Sequence, residues 1–344
     1  MRLKKKKTAL ITGLSGQDGS YLADFLLRKN YIVVGTNRRS ARFTNWRLKR
    51  LGIDNKVIYE EMELSEIYEI QRIFKKYNFD EVYNLAAQSF VGTSFNSPLN
   101  TVNITGLGTL RILETIKSVN PKIKFYQASS SEMFGETKGK LQNEKTQFNP
   151  QSPYAISKVM SHQLTVNYRK SYNLFAVSGI LFNHESPLRG EEFVTRKIIL
   201  GLIKIIKNKS KYFELGNLYS KRDWGYAKEY VEAMWKMLQK KKPKDYVIST
   251  GKTHSIKEFI NIATKYLNMN VKWIGAGLSE KLINKDNNKI IIQINPKFFR
   301  PSEVNILIGD ASQAKKDLGW RPKVNLSKLI KIMVDEEIKY YKKL

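Results

Sequence analysis

Short, unbroken apolar runs separated by stretches of helical period mark the first half of the chain. Thr8-Ala9-Leu10-Ile11-Thr12, ending against a glycine, has the β-branched and apolar character of a strand buried on both faces of a parallel sheet. The spacing predicts a helix from about Ser20 to Lys29, then strands at Ile32–Thr36, Glu81–Leu85 and Lys124–Ala128. Alternation of this kind predicts an α/β fold, a Rossmann-type doubly wound parallel sheet. Farther on, Ser255–Asn268 and Leu326–Tyr341 carry a helical period and predict a smaller C-terminal α/β lobe. The expected division places residues 1–180, with about 221–250, in the sheet domain, and about 181–220 and 251–344 in the lobe.

Composition narrows the classes of chemistry. With 344 residues, 42% of them hydrophobic, the chain can bury a large core. It has no cysteine, so disulfides and thiolate nucleophiles are excluded; its histidines, His162, His184 and His254, are too scattered to predict a metal site. Lys4–Lys7 precede an apolar run that Gly13 and Gly16 cut far short of a signal peptide, and no stretch predicts a membrane span. The expected location is cytoplasmic. The net charge of +29 raises the question of nucleic acid. Lysine, however, is spread along the chain in company with abundant Asn and Ile, so the charge reads as composition and no nucleic-acid partner is expected.

Three segments carry chemistry. Gly13-Leu14-Ser15-Gly16-Gln17-Asp18-Gly19, between the first strand and helix, lets a pyrophosphate approach backbone N–H groups at a helix N-terminus. About twenty residues on, where an NAD enzyme commonly presents an acid to the ribose, Arg38-Arg39-Ser40 offers cations that suit a 2′-phosphate, so NADP is the expected cofactor; the lesser alternative is that one of these arginines is a solvated surface charge or an interface contact. The third segment holds Ser130 and Glu132, followed by Tyr154-Ala155-Ile156-Ser157-Lys158. Tyr-x-x-x-Lys is weak evidence alone, but on a helix it puts both side chains on one face, where an ammonium can favour a phenolate whose ordinary pKa, about 10, is too high for a base at neutral pH.

On these motifs, and on the runs Thr12–Tyr21, Asn84–Val91, Tyr172–Pro187, Phe193–Lys197, Gly216–Trp224, Tyr230–Trp235 and Phe299–Val304, the chain resembles the GDP-mannose 4,6-dehydratases of the extended short-chain dehydrogenase/reductase family across nearly its whole length. The resemblance implies oxidation at carbon 4 of the mannose of GDP-mannose, with Tyr154 as base, assisted by Lys158, and NADP taking the hydride. Glu132 removes the carbon 5 proton as water leaves carbon 6, Ser130 polarises the carbon 4 oxygen, and the hydride returns to carbon 6. Glu132 sets this reading apart from a sugar epimerase or reductase on the same scaffold, which needs no eliminating carboxylate. Ser131 sets it apart from the dTDP-glucose dehydratases, which place an aspartate there.

The resemblance further implies cofactor contacts from Gly13, Gly16, Gln17, Asp18, Arg38, Arg39, Ser40, Glu63, Leu64, Leu85, Ala86, Ala87, Gln88, Ser89, Lys158, His184 and Arg189. For His184 a purely structural polar role fits equally well. Substrate contacts fall on Asn183, Lys197, Arg222, Arg300 and Glu303. The sheet domain is thus expected to bind NADP and the lobe the substrate. Three positions depart from the family: Ser130 stands for threonine, Glu63 for aspartate and Asn100 for tyrosine, the last two implying looser packing around the cofactor. Arg38–Ala41 matches a loop that joins dimers into tetramers, so a homodimer or homotetramer is expected.

Overall fold

The computed structural model describes residues 6–40, 45–137, 139–299, 302 and 304–341. Arg300 and Glu303, and Ala41 of the expected assembly loop, lie outside the described residues.

Alternate residues of the apolar runs bury against opposite faces of one sheet, and this sets the architecture. Ala9 and Ile11 pack with Tyr83, Tyr126 and Val177 on one side. Leu10 packs with Val34, Val82 and Phe125 on the other. The strands, labelled in chain order within this sheet, are β1 (Thr8–Thr12), β2 (Ile32–Asn37), β3 (Ile58–Glu61), β4 (Glu81–Asn84), β5 (Lys124–Ser130), β6 (Ala176–Leu181) and β7 (Tyr246–Ile248). Their spatial order is β7-β6-β5-β4-β1-β2-β3, parallel throughout. The order in which successive strands are added reverses between β1 and β4, and in such sheets the crevice beyond that point, at the carboxyl ends of the strands, receives the ligand. The Rossmann-type sheet that the apolar runs predict is therefore the sheet observed.

Two local differences have physical causes. The first helix spans Gln17–Arg28, starting earlier than its periodicity predicts, because Gly16 takes the N-cap and Gly19 sits within the first turn. A Cβ at Gly19 would lie 2.3 Å from the Gly13 carbonyl oxygen. β5 runs on to Ser130, two residues beyond the apolar run, because its pairing with β6 continues to Leu181.

The smaller lobe is built on a four-stranded sheet ordered Val271–Ile274, Lys281–Asn284, Ile290–Ile294, Phe213–Leu215. Helices Val194–Ile206, Ile256–Tyr266 and Leu326–Tyr341 cover it. Ile198, Leu202, Phe259, Leu282, Ile292 and Ile330 form its core. Short strands stitch the two lobes together: His184–Glu185 pairs with Gly225–Tyr226, and Lys221–Arg222 lies between His254–Ser255 and Ile306–Leu307. Among the described residues no helix is long and apolar enough to cross a membrane, and no group of three or more His, Asp or Glu could hold a metal ion.

Candidate active site

A cavity of about 760 Å³ opens at the carboxyl ends of the strands, between the sheet and the lobe. It is lined by Gly13, Gly16, Gln17, Asp18, Leu85, Ala87 and Ser89 on one side, by Ser130, Glu132, Tyr154 and Lys158 at its centre, and by Asn183, His184, Arg189, Lys197 and Arg222 toward the lobe.

The glycine loop fits a dinucleotide. Gly13 has φ +73°, and a Cβ there would meet Ala86 Cα at 3.0 Å. No side chain caps the helix that begins after Gly16, so its N-terminal N–H groups remain available for an anion. Behind the loop, Thr12 Oγ1 donates to Asn84 Oδ1 at 2.8 Å and accepts from the N–H groups of Leu85 and Ala86, while Asn84 donates to Gln127 Oε1 at 2.8 Å. This buried polar chain fixes the ends of β1, β4 and β5 against one another. Its only sequence signal is a polar residue ending each apolar run.

The central cluster comes from two elements. β5 delivers Ser130, whose Oγ accepts from the Glu132 N–H at 3.2 Å and starts the 3-10 turn Ser131–Phe134. This local bond turns Glu132 into the cavity, where it is 9% exposed. Helix Pro153–Ser171, capped by Ser152 accepting from the Ala155 N–H at 3.1 Å, supplies Tyr154 and Lys158 from one face. Lys158 Nζ donates to the Ala128 carbonyl at 2.7 Å and stands 5.8 Å from the Tyr154 ring centroid.

Burial dominates both groups. It pushes the Tyr154 phenol up to about 12; a hydrogen bond with Ser130 pulls it down and the Glu132 charge adds to the rise. Burial likewise pushes the Lys158 ammonium down to about 8, with Asp18 opposing. The spacing argument predicts a Tyr154 eased toward ionisation by Lys158. Burial pushes the phenol the other way, and the Lys158 ammonium is held by the Ala128 carbonyl.

His184 is held at both ring nitrogens: Nδ1 lies 2.7 Å from the Phe182 carbonyl and Nε2 2.7 Å from Asp18 Oδ2, with the ring stacked on Tyr230 at 4.6 Å. This geometry braces the segment after β6 against the glycine loop, and His184 also lines the cavity. Gln17 reinforces it, donating to the His184 carbonyl at 3.0 Å and accepting from Ser186 Oγ at 2.7 Å. Asp18 is half-buried, and its desolvation by itself raises its pKa; His184, Arg189 and Gln17 together hold it below the ordinary carboxylate value.

Toward the lobe, Asn183 Oδ1 is buried without a hydrogen-bond partner, an acceptor left for a donor entering the cavity. Burial lowers the Lys197 pKa, and its ammonium lies 3.7 Å from the Phe298 ring centroid. Arg222 is buried and donates to the Lys221 carbonyl at 3.0 Å. Phe90 and Phe193 also line the cavity and pack edge to face at 5.7 Å, with the Arg189 guanidinium 3.6 Å from the Phe193 ring. No spacing rule marks these aromatics, which the fold brings together from distant segments.

The remaining named positions lie outside the cavity lining. Arg38, Arg39 and Ser40 are exposed just past β2. The Glu63 pKa is raised by burial and drawn back by the nearby Arg38 charge. Leu64 is buried, its carbonyl accepting from Arg111 at 3.0 Å. Ala86 backs Gly13, and Gln88 is tied to the Phe90 carbonyl and to Thr105 Oγ1. Asn100 is exposed on the short helix Pro98–Thr101.

A parallel sheet with this strand order, a glycine loop at its switch point, and Tyr154 and Lys158 facing one cavity define a short-chain dehydrogenase/reductase-type protein with an added lobe. The GDP-mannose 4,6 dehydratase family model matches residues 10–333, and the chain belongs to that family. A GDP-mannose 4,6 dehydratase from Drosophila melanogaster is 46% identical, covering 98% of this chain and 88% of the relative. GDP-mannose 4,6 dehydratase 1 from Arabidopsis thaliana is 47% identical over 99% of this chain and 92% of its own. In fold, the chain is similar to the crystal structure of dTDP-glucose 4,6-dehydratase from Bacillus anthracis in complex with NAD, with a TM-score of 0.80, 19% identity, and 98% of each chain covered.

Proposed function

We propose that the protein converts GDP-mannose to GDP-4-keto-6-deoxy-mannose by loss of one water, using a nicotinamide dinucleotide and, specifically, NADP. The observation that carries the reading is Glu132, set by Ser130 beside Tyr154 in one cavity, in a chain that matches the dehydratase family over residues 10–333. The glycine loop, N-cap and bare helix N-terminus fit the pyrophosphate of such a cofactor. When bound, the cofactor supplies reversible hydride acceptance. Arg38, Arg39 and Ser40 favour a 2′-phosphate over an unmodified ribose.

The residues divide the work as follows. Tyr154 Oη takes the proton of the carbon 4 hydroxyl, and Ser130 Oγ hydrogen-bonds the oxygen that becomes the ketone. That ketone acidifies carbon 5, whose proton passes to the Glu132 carboxylate and on to the hydroxyl of carbon 6, which departs as water; return of the hydride to carbon 6 and of a proton to carbon 5 completes the product. Lys158, anchored on Ala128, holds positive charge beneath Tyr154. Asn183 faces the sugar or the first phosphate, Lys197 and Arg222 the pyrophosphate, and Arg300 and Glu303 the nucleoside. In the same reading residues 1–180 and about 221–250 hold the dinucleotide, the other lobe holds the GDP-sugar, and the protein assembles as a homodimer or homotetramer. Native mass spectrometry showing only monomer would remove that last element.

Mass spectrometry of GDP-mannose incubated with the protein and NADP+ tests the function. The expected result is a product lighter by one water, absent with Glu132→Gln although that variant still binds NADP+. The expected loss of rate is roughly 10²–10⁴-fold, the range for a positioned acid or base. Unchanged turnover in Glu132→Gln would take the carboxylate out of the mechanism.

A further inference from the structure

A stack of side chains outside the residues named so far ties the glycine loop to the lobe. The short helix Trp46–Leu51 carries Trp46, Arg47 and Arg50. Arg47 Nη1 donates to the Ser15 carbonyl, inside the glycine loop, at 2.9 Å, and Arg47 Nε donates to the Leu188 carbonyl at 2.6 Å. The next carbonyl, that of Arg189, accepts from Arg196 Nη1 at 2.6 Å. Trp46 stands against both guanidiniums, 4.4 Å from Arg47 Cζ and 5.0 Å from Arg196 Cζ. Glu337, from helix Leu326–Tyr341, pairs with Arg196 at 3.1 Å and Arg50 at 2.9 Å.

We propose that Arg47, backed by Trp46 and Arg196, is a positioning residue that couples dinucleotide binding to nucleotide-sugar binding. The inference rests on the functional reading above, because it takes the loop as the dinucleotide site and Lys197 as a phosphate contact. Arg47 bonds the loop on one side and the segment following Asn183 and His184 on the other. Arg196 carries the restraint into helix Val194–Ile206, where Lys197 is the next residue. A dinucleotide that orders Ser15 therefore also orders Leu188 and Arg189, and a ligand held by Lys197 orders the loop in return. Such coupling is reciprocal by thermodynamic necessity. A planar guanidinium with donors in two directions suits the task; an ammonium at the same place reaches one carbonyl at a time.

GDP, which undergoes no turnover, serves as the probe for calorimetric titration into protein free of NADP+ and saturated with it. In the unaltered protein NADP+ tightens GDP about tenfold, within the usual range of coupling. In Arg47→Met that factor falls below about two, and in Arg47→Lys it is intermediate. Two results overturn the proposal: no effect of NADP+ on GDP in the unaltered protein, or an Arg47→Met variant that weakens both ligands yet keeps the factor, as a merely structural residue would. If Arg47→Met does not fold, Arg47→Lys and Trp46→Leu decide by the same measure. Because neither titration needs turnover, dehydration measured in parallel can fail without changing this result.

Discussion

At the scale of single residues, the site is governed by what burial does to charge. Burial pushes the Tyr154 phenol up to about 12, so the base step asks for a phenolate that burial by itself disfavours. A titration of site-labelled Tyr154 by NMR is expected to show no ionisation below about pH 10 without ligand. A free phenol titrating near 8 would mean that Lys158 controls it after all. The Asp18–His184 pair makes a second prediction. Burial disfavours the charged imidazole, yet Asp18 raises the His184 pKa above its ordinary value, while His184 and Arg189 keep Asp18 low despite its desolvation. Stability from raised His184 is complete below the ordinary histidine value, about 6.5, and is lost as pH rises through the folded value; stability from lowered Asp18 is present above about 3.8 and lost as pH falls through its folded value. The melting-temperature difference between the unaltered protein and His184→Gln should thus be larger at pH 5.5 than at pH 9. A difference independent of pH would show that the pair contributes no charge interaction.

At the scale of elements, the geometry of one turn decides whether a cofactor fits. Gly19 is within the first helical turn, and its missing Cβ leaves room for the Gly13 carbonyl. Gly19→Ala puts a methyl 2.3 Å from that oxygen and must push the loop outward. The expected outcome is a loss of dinucleotide affinity of at least tenfold by fluorescence titration, with destabilisation of about 1–3 kcal/mol. Unchanged affinity would show that the loop does not set the binding geometry. This element was legible because glycines, strand and helix occur together in the sequence. β1, β2, β4 and β5 were legible as apolar runs, though their ends were not: β5 extends through Ser129 and Ser130 because pairing with β6 outweighs polarity. β3 has exposed and polar positions, and β7 is only three residues long, so neither carries a clear period.

At the scale of the whole molecule, the cavity exists only because distant segments converge. Ser130, Glu132, Tyr154 and Lys158 were readable from local motifs, and the structure gathers them with Asn183, Lys197 and Arg222 around one cavity. What no local pattern revealed was the framework: the Thr12–Asn84–Gln127 chain, the Phe90–Phe193 contact, and the Arg47–Trp46–Arg196 stack. Each joins residues far apart in sequence, and their spacing carries no periodic signal. The +29 charge bears on long-range attraction of the doubly anionic pyrophosphate, while recognition rests with the few cations facing the cavity.

The central claim is that one cavity oxidises carbon 4, eliminates water across carbons 5 and 6, and reduces carbon 6 with the same hydride. The most direct measurement uses GDP-mannose deuterated at carbon 4, incubated with the protein and NADP+, with the product analysed by mass spectrometry and NMR. The expected result is loss of one water with deuterium recovered at carbon 6. Recovery of unchanged GDP-mannose, or of a dehydrated product with hydrogen from solvent at carbon 6 and no deuterium there, would contradict it.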